Sequence, residues 1–468
     1  MLHDARALSS FAPGAHARNR LTLPVLCAAV LIAQIDSSVA NLATRPISED
    51  FSAGIGALQW VIDSYNLVYA SLLLTGGLLG DLIGRKRVFM AGAALFALAS
   101  LVCAAAPAIS VLIAGRALTG LGSALILPAS LAIVRVAWSD PAERGRALGV
   151  WTGCNGVGLA VGPTLGGALI HGFGWRAVFL IVVPLGAAAC ALAPAALAES
   201  ADPHERDFDW PAQAAGALAL GALALAAIES HRAGAVAAAA LAIAGAALMA
   251  FIRIEAKRGA KALVPLPMFA VCGFRGAATA TAGMTFGMYG MLFLLPLFWL
   301  SRGTLGPAAA GFALMPSAAV YAATSPFSGP LAERIGARAM MSGGVAIIGS
   351  GLILIGATAY AGIAGAEAGL ALTGLGMGLS TGPLMGTAVG AVPAARSGTA
   401  ASLINVARMA GATLGVAVLG AVFALAGGGT VGLRLAMLVG GGAQLAAAAS
   451  AWTTTHADRP TPSGAGGR

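Results

Sequence analysis

Charge is scarce in this sequence. Its 468 residues include 27 Lys and Arg and 18 Asp and Glu, so charged residues make up 10% where a soluble protein carries about 25%. Too few charges remain to clothe a water-facing surface, which excludes a soluble enzyme of ordinary type. Disorder is excluded as well, because it requires low hydrophobicity and 58% of this chain is hydrophobic. Cysteines number five, an odd count with no paired spacing, which offers neither a disulfide framework nor a metal site. No Gly-rich loop with a following Lys-Ser/Thr occurs, so this chain has no motif for ATP drive. Long polar stretches are absent too. The longest loops, 198–210 and 254–272, are too short for a catalytic domain, and the chain is not expected to be an enzyme.

Apolar runs fill the space that charge leaves. A bilayer core needs about 20 apolar residues per helix. Fourteen such runs lie near 21–43, 57–80, 88–106, 109–134, 147–170, 176–197, 211–229, 234–253, 273–300, 308–331, 339–360, 363–386, 398–425 and 430–450. The alternating ten-residue pattern of a membrane barrel is missing. The chain therefore reads as an all-α polytopic membrane protein. The polar lead with Arg6, Arg18 and Arg20 looks like the start of a signal peptide, yet the apolar run after it is of full span length. It is expected to be an uncleaved first helix.

With the N-terminus placed inside, 20 Lys and Arg residues fall on the cytoplasmic side, and only Arg45, Arg176, Arg232 and Arg302 fall outside. This positive-inside bias predicts a cell-membrane protein with both termini cytoplasmic. The net charge of +9 then belongs to cytoplasmic loops facing lipid headgroups, and no nucleic-acid partner is expected. A repeat divides the chain. Asp81-Leu82-Ile83-Gly84-Arg85-Lys86 recurs as Glu333-Arg334-Ile335-Gly336-Ala337-Arg338, 252 residues later. The predicted organisation is a cytoplasmic tail at 1–20, a six-helix bundle at 21–197, two inserted helices with flanking loops at 198–272, a second six-helix bundle at 273–450 and a cytoplasmic tail at 451–468. Parallel repeats of this kind place a substrate site between the halves, which rock against one another.

Ionisable residues inside spans are costly and point to function. Asp36, Asp63 and Arg116 all fall about 9–11 Å below the outer surface when helix rise is counted from the ends of their runs. One carboxylate can pair with Arg116. The other can hold a proton or face a cation, and competition between the two uses is antiport in its simplest form. Trp60, Asp63 and Asn66 share a helix face suited to lipophilic cations. The turn with Gly77, Asp81, Gly84, Arg85 and Arg87 is predicted to act as a conformational latch, with Asp81 meeting an opposing helix N-terminus. Gly158, Gly162, Pro163, Gly166 and Gly167 form a flat, kinked helix face expected to pack on the other half as a pivot. Asn405 and Arg408 are also intramembrane, and Arg408 has no carboxylate partner in the second half of the sequence.

These residues resemble the major facilitator superfamily, specifically its fourteen-span drug:proton antiporter branch. The likeness is carried by Ile35-Asp36-Ser37-Ser38-Val39-Ala40-Asn41 and by Trp60-Val61-Ile62-Asp63-Ser64-Tyr65-Asn66. It extends through the turn at 77–87, where Leu82 replaces a basic residue, and Leu112 to Gly122, where Thr119 replaces Gln. Gly158 to Gly167 resembles the antiporter motif, and Gly174-Trp175-Arg176 with Phe179 and Pro184 the segment after it. The resemblance implies a major facilitator fold of two six-helix bundles plus two inserted helices. It further implies export of amphipathic, often cationic drugs by proton antiport, with no cofactor beyond the proton gradient and a monomeric state. Asp36 and Arg116 then take the proton role, and Asp63, Trp60 and Asn66 the substrate role. A narrow exporter of a metabolite, amino acid or antibiotic is the alternative within the class. An importer or a non-transporting sensor fits less well, given the antiporter motif and the retained charges.

Overall fold

In lipid every backbone polar group must find its partner inside the chain, so apolar runs of this length become helices. The computed structural model describes residues 20–138, 140–201, 209–230, 233–259, 262, 264, 266–360, 362–392 and 397–455, and among them there is no strand. Apart from Arg20 and residues 451–455, the two expected tails lie outside the described residues.

The first half holds α1 (Thr22–Phe51), α2 (Ile55–Ile83), α3 (Arg85–Ala104), α4 (Ile109–Ala137), α5 (Pro141–Phe173) and α6 (Ala177–Ala196). An inserted hairpin follows, α7 (Trp210–Glu229) and α8 (Gly234–Arg258). The second half holds α9 (Cys272–Ser301), three short pieces α10 (Pro307–Ala313), α11 (Met315–Thr324) and α12 (Ser328–Ile335), then α13 (Ala337–Ala357), α14 (Ile363–Gly390), α15 (Ser397–Leu425) and α16 (Gly429–Thr454).

Among the described residues, twelve helices are long and apolar enough to cross a membrane, where the sequence predicts fourteen spans. The two that differ are α5 and the 307–335 stretch. Nine glycines and several polar residues dilute the apolarity of α5. Pro316 opens α11 and Pro326 follows its end, so the tenth run is broken into pieces.

A second difference concerns α1, which continues eight residues past the predicted end at 43. Arg45 and Glu49, one turn apart and joined at 2.6 Å, support this extension beyond the apolar run. The helix closes on Ser52 in the left-handed region, φ 49°. Asp36 thus lies fifteen residues from the end of its helix rather than seven, and depth counted from apolar runs alone does not hold for α1.

The two halves repeat one pattern of neighbours. In the first, α1 packs on α5 and α6, α4 on α2 and α3, and α3 on α6. In the second, α9 packs on α15 and α16, α14 on α11 and α13, and α13 on α16. Gly84 and Gly336 occupy equivalent junctions with φ of 112° and 97°, a region closed to most side chains. The halves meet through α2 on α15, α5 on α10 and α11, and α1 on α9. Cross-half hydrogen bonds gather toward the end where α1 turns into α2. There Arg45 Nη1 donates to the Leu300 carbonyl at 3.2 Å. Gln59 Nε2 donates to the carbonyls of Val416 and Ala417 at 3.0 and 2.9 Å. The inserted helix α7 lies against both α2 and α15 and covers their seam, and Arg258 at the end of α8 pairs with Asp209 at 2.9 Å.

Candidate functional site

Among the described residues, Arg116 is one of the largest side chains to be fully buried. Isolated burial of a guanidinium costs several kcal/mol, so its surroundings must compensate. Asp36 does so at 2.5 Å, with both side chains 1% exposed. Arg116 Nε donates to the Val61 carbonyl at 3.2 Å, and Nη1 also reaches Thr119 Oγ1 at 3.4 Å. The Tyr65 ring lies 4.5 Å from the guanidinium carbon, and the Tyr65 hydroxyl is fixed at 2.8 Å from Ser123. Asp36 Oδ1 keeps no hydrogen-bond partner. The pair therefore holds α1, α2 and α4 of one half together and leaves one carboxylate oxygen open.

Asp63 stands apart from that pair. Arg116 grips α2 at Val61, and a residue two positions on projects from a different face of the helix. Asp63 is fully buried, and neither of its oxygens has a hydrogen-bond partner. Gln59, one turn earlier on the same face, bonds the backbone of α15, so this face meets the other half. Asn66 Nδ2 and Thr413 Oγ1 are likewise buried without partners. Such a place tolerates a neutral acid or a carboxylate beside a cation, but not a lone charge. Trp60 is half-buried on the same helix. The structure thus joins Asp36 with Arg116 and separates Asp63 from both, where the sequence placed all three at one depth.

A narrow gap of about 30 Å3 lies where the halves meet. Ser38, Asn41 and Pro163 line it from one side; Met288, Met291, Leu314, Ser317, Tyr321 and Met377 are among those lining it from the other. Asn41 Oδ1 in its wall has no hydrogen-bond partner. Neither Asp63, Trp60 nor Asn66 is part of this lining. Methionine suits a wall that must fit varied shapes. Sequence reasoning missed it, although Met284, Met288 and Met291 recur at one-turn spacing in α9.

The glycine stripe of α5 divides its contacts. A side chain at Gly158 or Gly166 would strike Gln34 or Val39 of α1, each at 2.7 Å, and Gly162 faces Ser38 of the same helix. These three positions, four apart, serve packing within the first half. Gly167 lies against Pro307 and Ala308, and Pro163 against Gly311, both in the second half. The expected packing on the opposing half is thus seen for Gly167 and Pro163, while the other three glycines face their own half.

At the predicted latch, Arg85 donates to Asp81 Oδ1 from Nε and Nη2 at 3.1 and 2.8 Å. A side chain at Gly77 would meet Pro128 at 3.5 Å. Glu199, which sequence reasoning did not single out, accepts from the Lys86 amide at 3.1 Å and lies 3.6 Å from Arg87. The Arg85 amide bonds the Ser200 carbonyl, so the chain at 199–200 caps α3.

The family model described as Major Facilitator Superfamily matches residues 26–416. The multidrug resistance protein Stp of Mycobacterium tuberculosis is 34% identical over 368 residues, 78% of this chain and 68% of that protein. The methylenomycin A resistance protein of Bacillus subtilis is 33% identical over 68% of this chain and 69% of its own length. The multidrug efflux pump LfrA of Mycolicibacterium smegmatis is 32% identical over 81% and 75%. Among solved structures, the POT family transporter PepTSo aligns with a TM-score of 0.70 over 92% of this chain and 97% of that one. At 16% identity that likeness is one of fold alone. The chain is a multi-pass membrane transporter rather than an enzyme, and it belongs to the Major Facilitator Superfamily.

Proposed function

We propose that the protein is a proton-coupled antiporter of the fourteen-span drug-export branch, moving amphipathic and often cationic compounds out of the cytoplasm by alternating access. The observation that carries this reading is the buried Asp36–Arg116 pair together with a second, separate buried carboxylate, Asp63, that lacks a partner. Asp36 and Arg116 take the proton role; Asp63, with Trp60 and Asn66, takes the cation. Gly77, Asp81, Gly84, Arg85 and Arg87 hold the latch, and Gly158, Gly162, Pro163, Gly166 and Gly167 the packing seam of α5. On this reading α5 and the broken α10–α12 stretch complete fourteen spans, both termini are cytoplasmic, and the protein works as a monomer in the cell membrane with no cofactor. The names of the relatives support export of drugs and antibiotics. Methylenomycin A resistance proteins among them favour a second reading, a narrow exporter of one antibiotic class.

Efflux from inverted vesicles under an imposed pH gradient tests the proposal. Asp36→Asn leaves an oxygen for Arg116, so the protein still inserts, while gradient-driven transport is lost. Undiminished coupling in that variant would refute the assignment.

A further inference from the structure

The seam between α2 and α15 holds a second ionisable group that this cycle does not use. Arg408 is half-buried, and its Nε is closed off from solvent without a hydrogen-bond partner. No carboxylate among the described residues pairs with it. Its backbone is held from behind, since Thr285 Oγ1 of α9 donates to the Arg408 carbonyl at 2.8 Å. On the other side, the neighbouring Met409 shares a buried cluster with Tyr69 of α2, and Tyr289 of α9 packs against it. Tyr69 packs with Leu73, Leu127 and Met409, and Trp151 and Tyr289 border that cluster. Both halves thus supply aromatic walls around one guanidinium that has a spare donor.

Register along the seam relates this cation to Asp63. Gln59 meets residues 416–417 of α15 and Tyr69 packs in one cluster with Met409, so α2 and α15 run antiparallel. Asp63, Asn66 and Thr413, all with unpartnered polar atoms, fall between those two anchor points. Six residues separate Asp63 from Tyr69, about 9 Å along the helix. That spacing keeps the carboxylate and the guanidinium from satisfying one another.

We infer that this seam binds amphipathic zwitterions. The anionic group of the substrate meets Arg408, whose planar fork suits a carboxylate, and its cationic group meets Asp63. The apolar body between them lies against Asn66, Tyr69 and the aromatic walls. This rests on the export reading and deepens it, because the substrate class gains an anionic pole that Asp63 alone does not select.

Three dyes on one xanthene scaffold separate the charges: rhodamine B carries a carboxylate and a cation, its ethyl ester only the cation, and fluorescein only anions. Binding is followed by dye anisotropy on purified protein in nanodiscs, and transport by uptake into inverted vesicles. Arg408→Gln is expected to weaken rhodamine B about tenfold or more relative to the ester, since a charged partner is removed. Arg408→Lys retains part of that preference, and Asp63→Asn weakens both rhodamines. Ester binding reports that the Arg408 variants are folded, and an unchanged thermal melt reports it for Asp63→Asn. Equal effects of Arg408→Gln on rhodamine B and its ester overturn the inference, as does a wild type that binds the ester alone or none of the dyes. Selective binding without gradient-driven uptake leaves the inference standing and refutes the export reading instead.

Discussion

Two adjacent glycines of α5 give the structure a sharp test. A methyl group at Gly167 would sit 2.6 Å from the Pro307 carbonyl oxygen and 2.9 Å from the Ala308 α-carbon, both backbone atoms of the other half. Ordinary carbon contacts begin at about 3.5 Å, so the halves must separate by several tenths of an ångström where α5 meets α10. Overpacking of this kind costs about 1–3 kcal/mol, and here the cost falls only on the conformation in which that contact is closed. Gly167→Ala should therefore shift the balance between conformations by about 5- to 150-fold toward separation of the halves at this end. At Gly166 the added methyl would meet Val39 of α1 at 2.7 Å, within the same half. Gly166→Ala should lower stability by a similar amount and leave the conformational balance alone. Pulsed electron resonance between labels at Ser52 and Ser301, in a background with the native cysteines replaced, reads the separation directly. An unchanged distance distribution in folded Gly167→Ala, or a shift in Gly166→Ala as large as in Gly167→Ala, would show that this contact does not govern the conformations.

Asp63→Asn is expected to reduce export of cations more than of neutral compounds, measured by accumulation of matched dye pairs; equal losses would remove the substrate role. Gly84→Ala forces a side chain to φ 112° and within 2.6–2.9 Å of the Glu199 carboxylate, so thermal unfolding should show a loss of roughly 1–3 kcal/mol. A melting temperature equal to that of the wild type would contradict it. Glu199→Ala removes the side-chain acceptor at the start of α3 and should cost about 1 kcal/mol in the same assay, whereas no change would show the cap to be idle. Combined, Asp36→Asn and Asp63→Asn should give non-additive losses in transport rate if both charges serve one cycle, and simple additivity would separate them.

Membrane class and the position of nearly every helix were legible in the sequence, because lipid leaves an apolar run of this length little choice but helix. The Asp36–Arg116 contact was legible in part. Depth counting brought the two together, yet it misjudged α1, whose extension is supported by the polar pair Arg45 and Glu49 rather than by hydropathy. The separation of Asp63 was not legible, since it depends on which carbonyl of α2 the Arg116 guanidinium reaches. Glu199 lies more than a hundred residues from the turn it caps, and no local pattern announces such a contact. The methionine stripe of α9 was visible at one-turn spacing, but the same spacing marks any buried helix face.

The separation of Asp63 from Arg116 changes how coupling must work on the proposed reading. A proton and a cargo cannot compete directly for groups that face different sides of a helix. They can still be linked through α2 itself. Arg116 holds α2 by the Val61 carbonyl while Asp36 supplies its counter-charge. If Asp36 takes a proton, that counter-charge is lost and the grip of Arg116 on Val61 is the contact left to readjust. Two residues on, the same helix carries Asp63 to the seam, where α15 covers it. A ligand shifts an equilibrium only where its surroundings differ between the two states. The Asp36–Arg116 pair lies within one half, so its surroundings differ between the two states through the grip of Arg116 on Val61. Asp63 gains or loses its cover each time the seam moves. The pair is then the group that registers the proton, and the seam carboxylate the group that registers conformation, with α2 as the rigid body that obliges them to answer together.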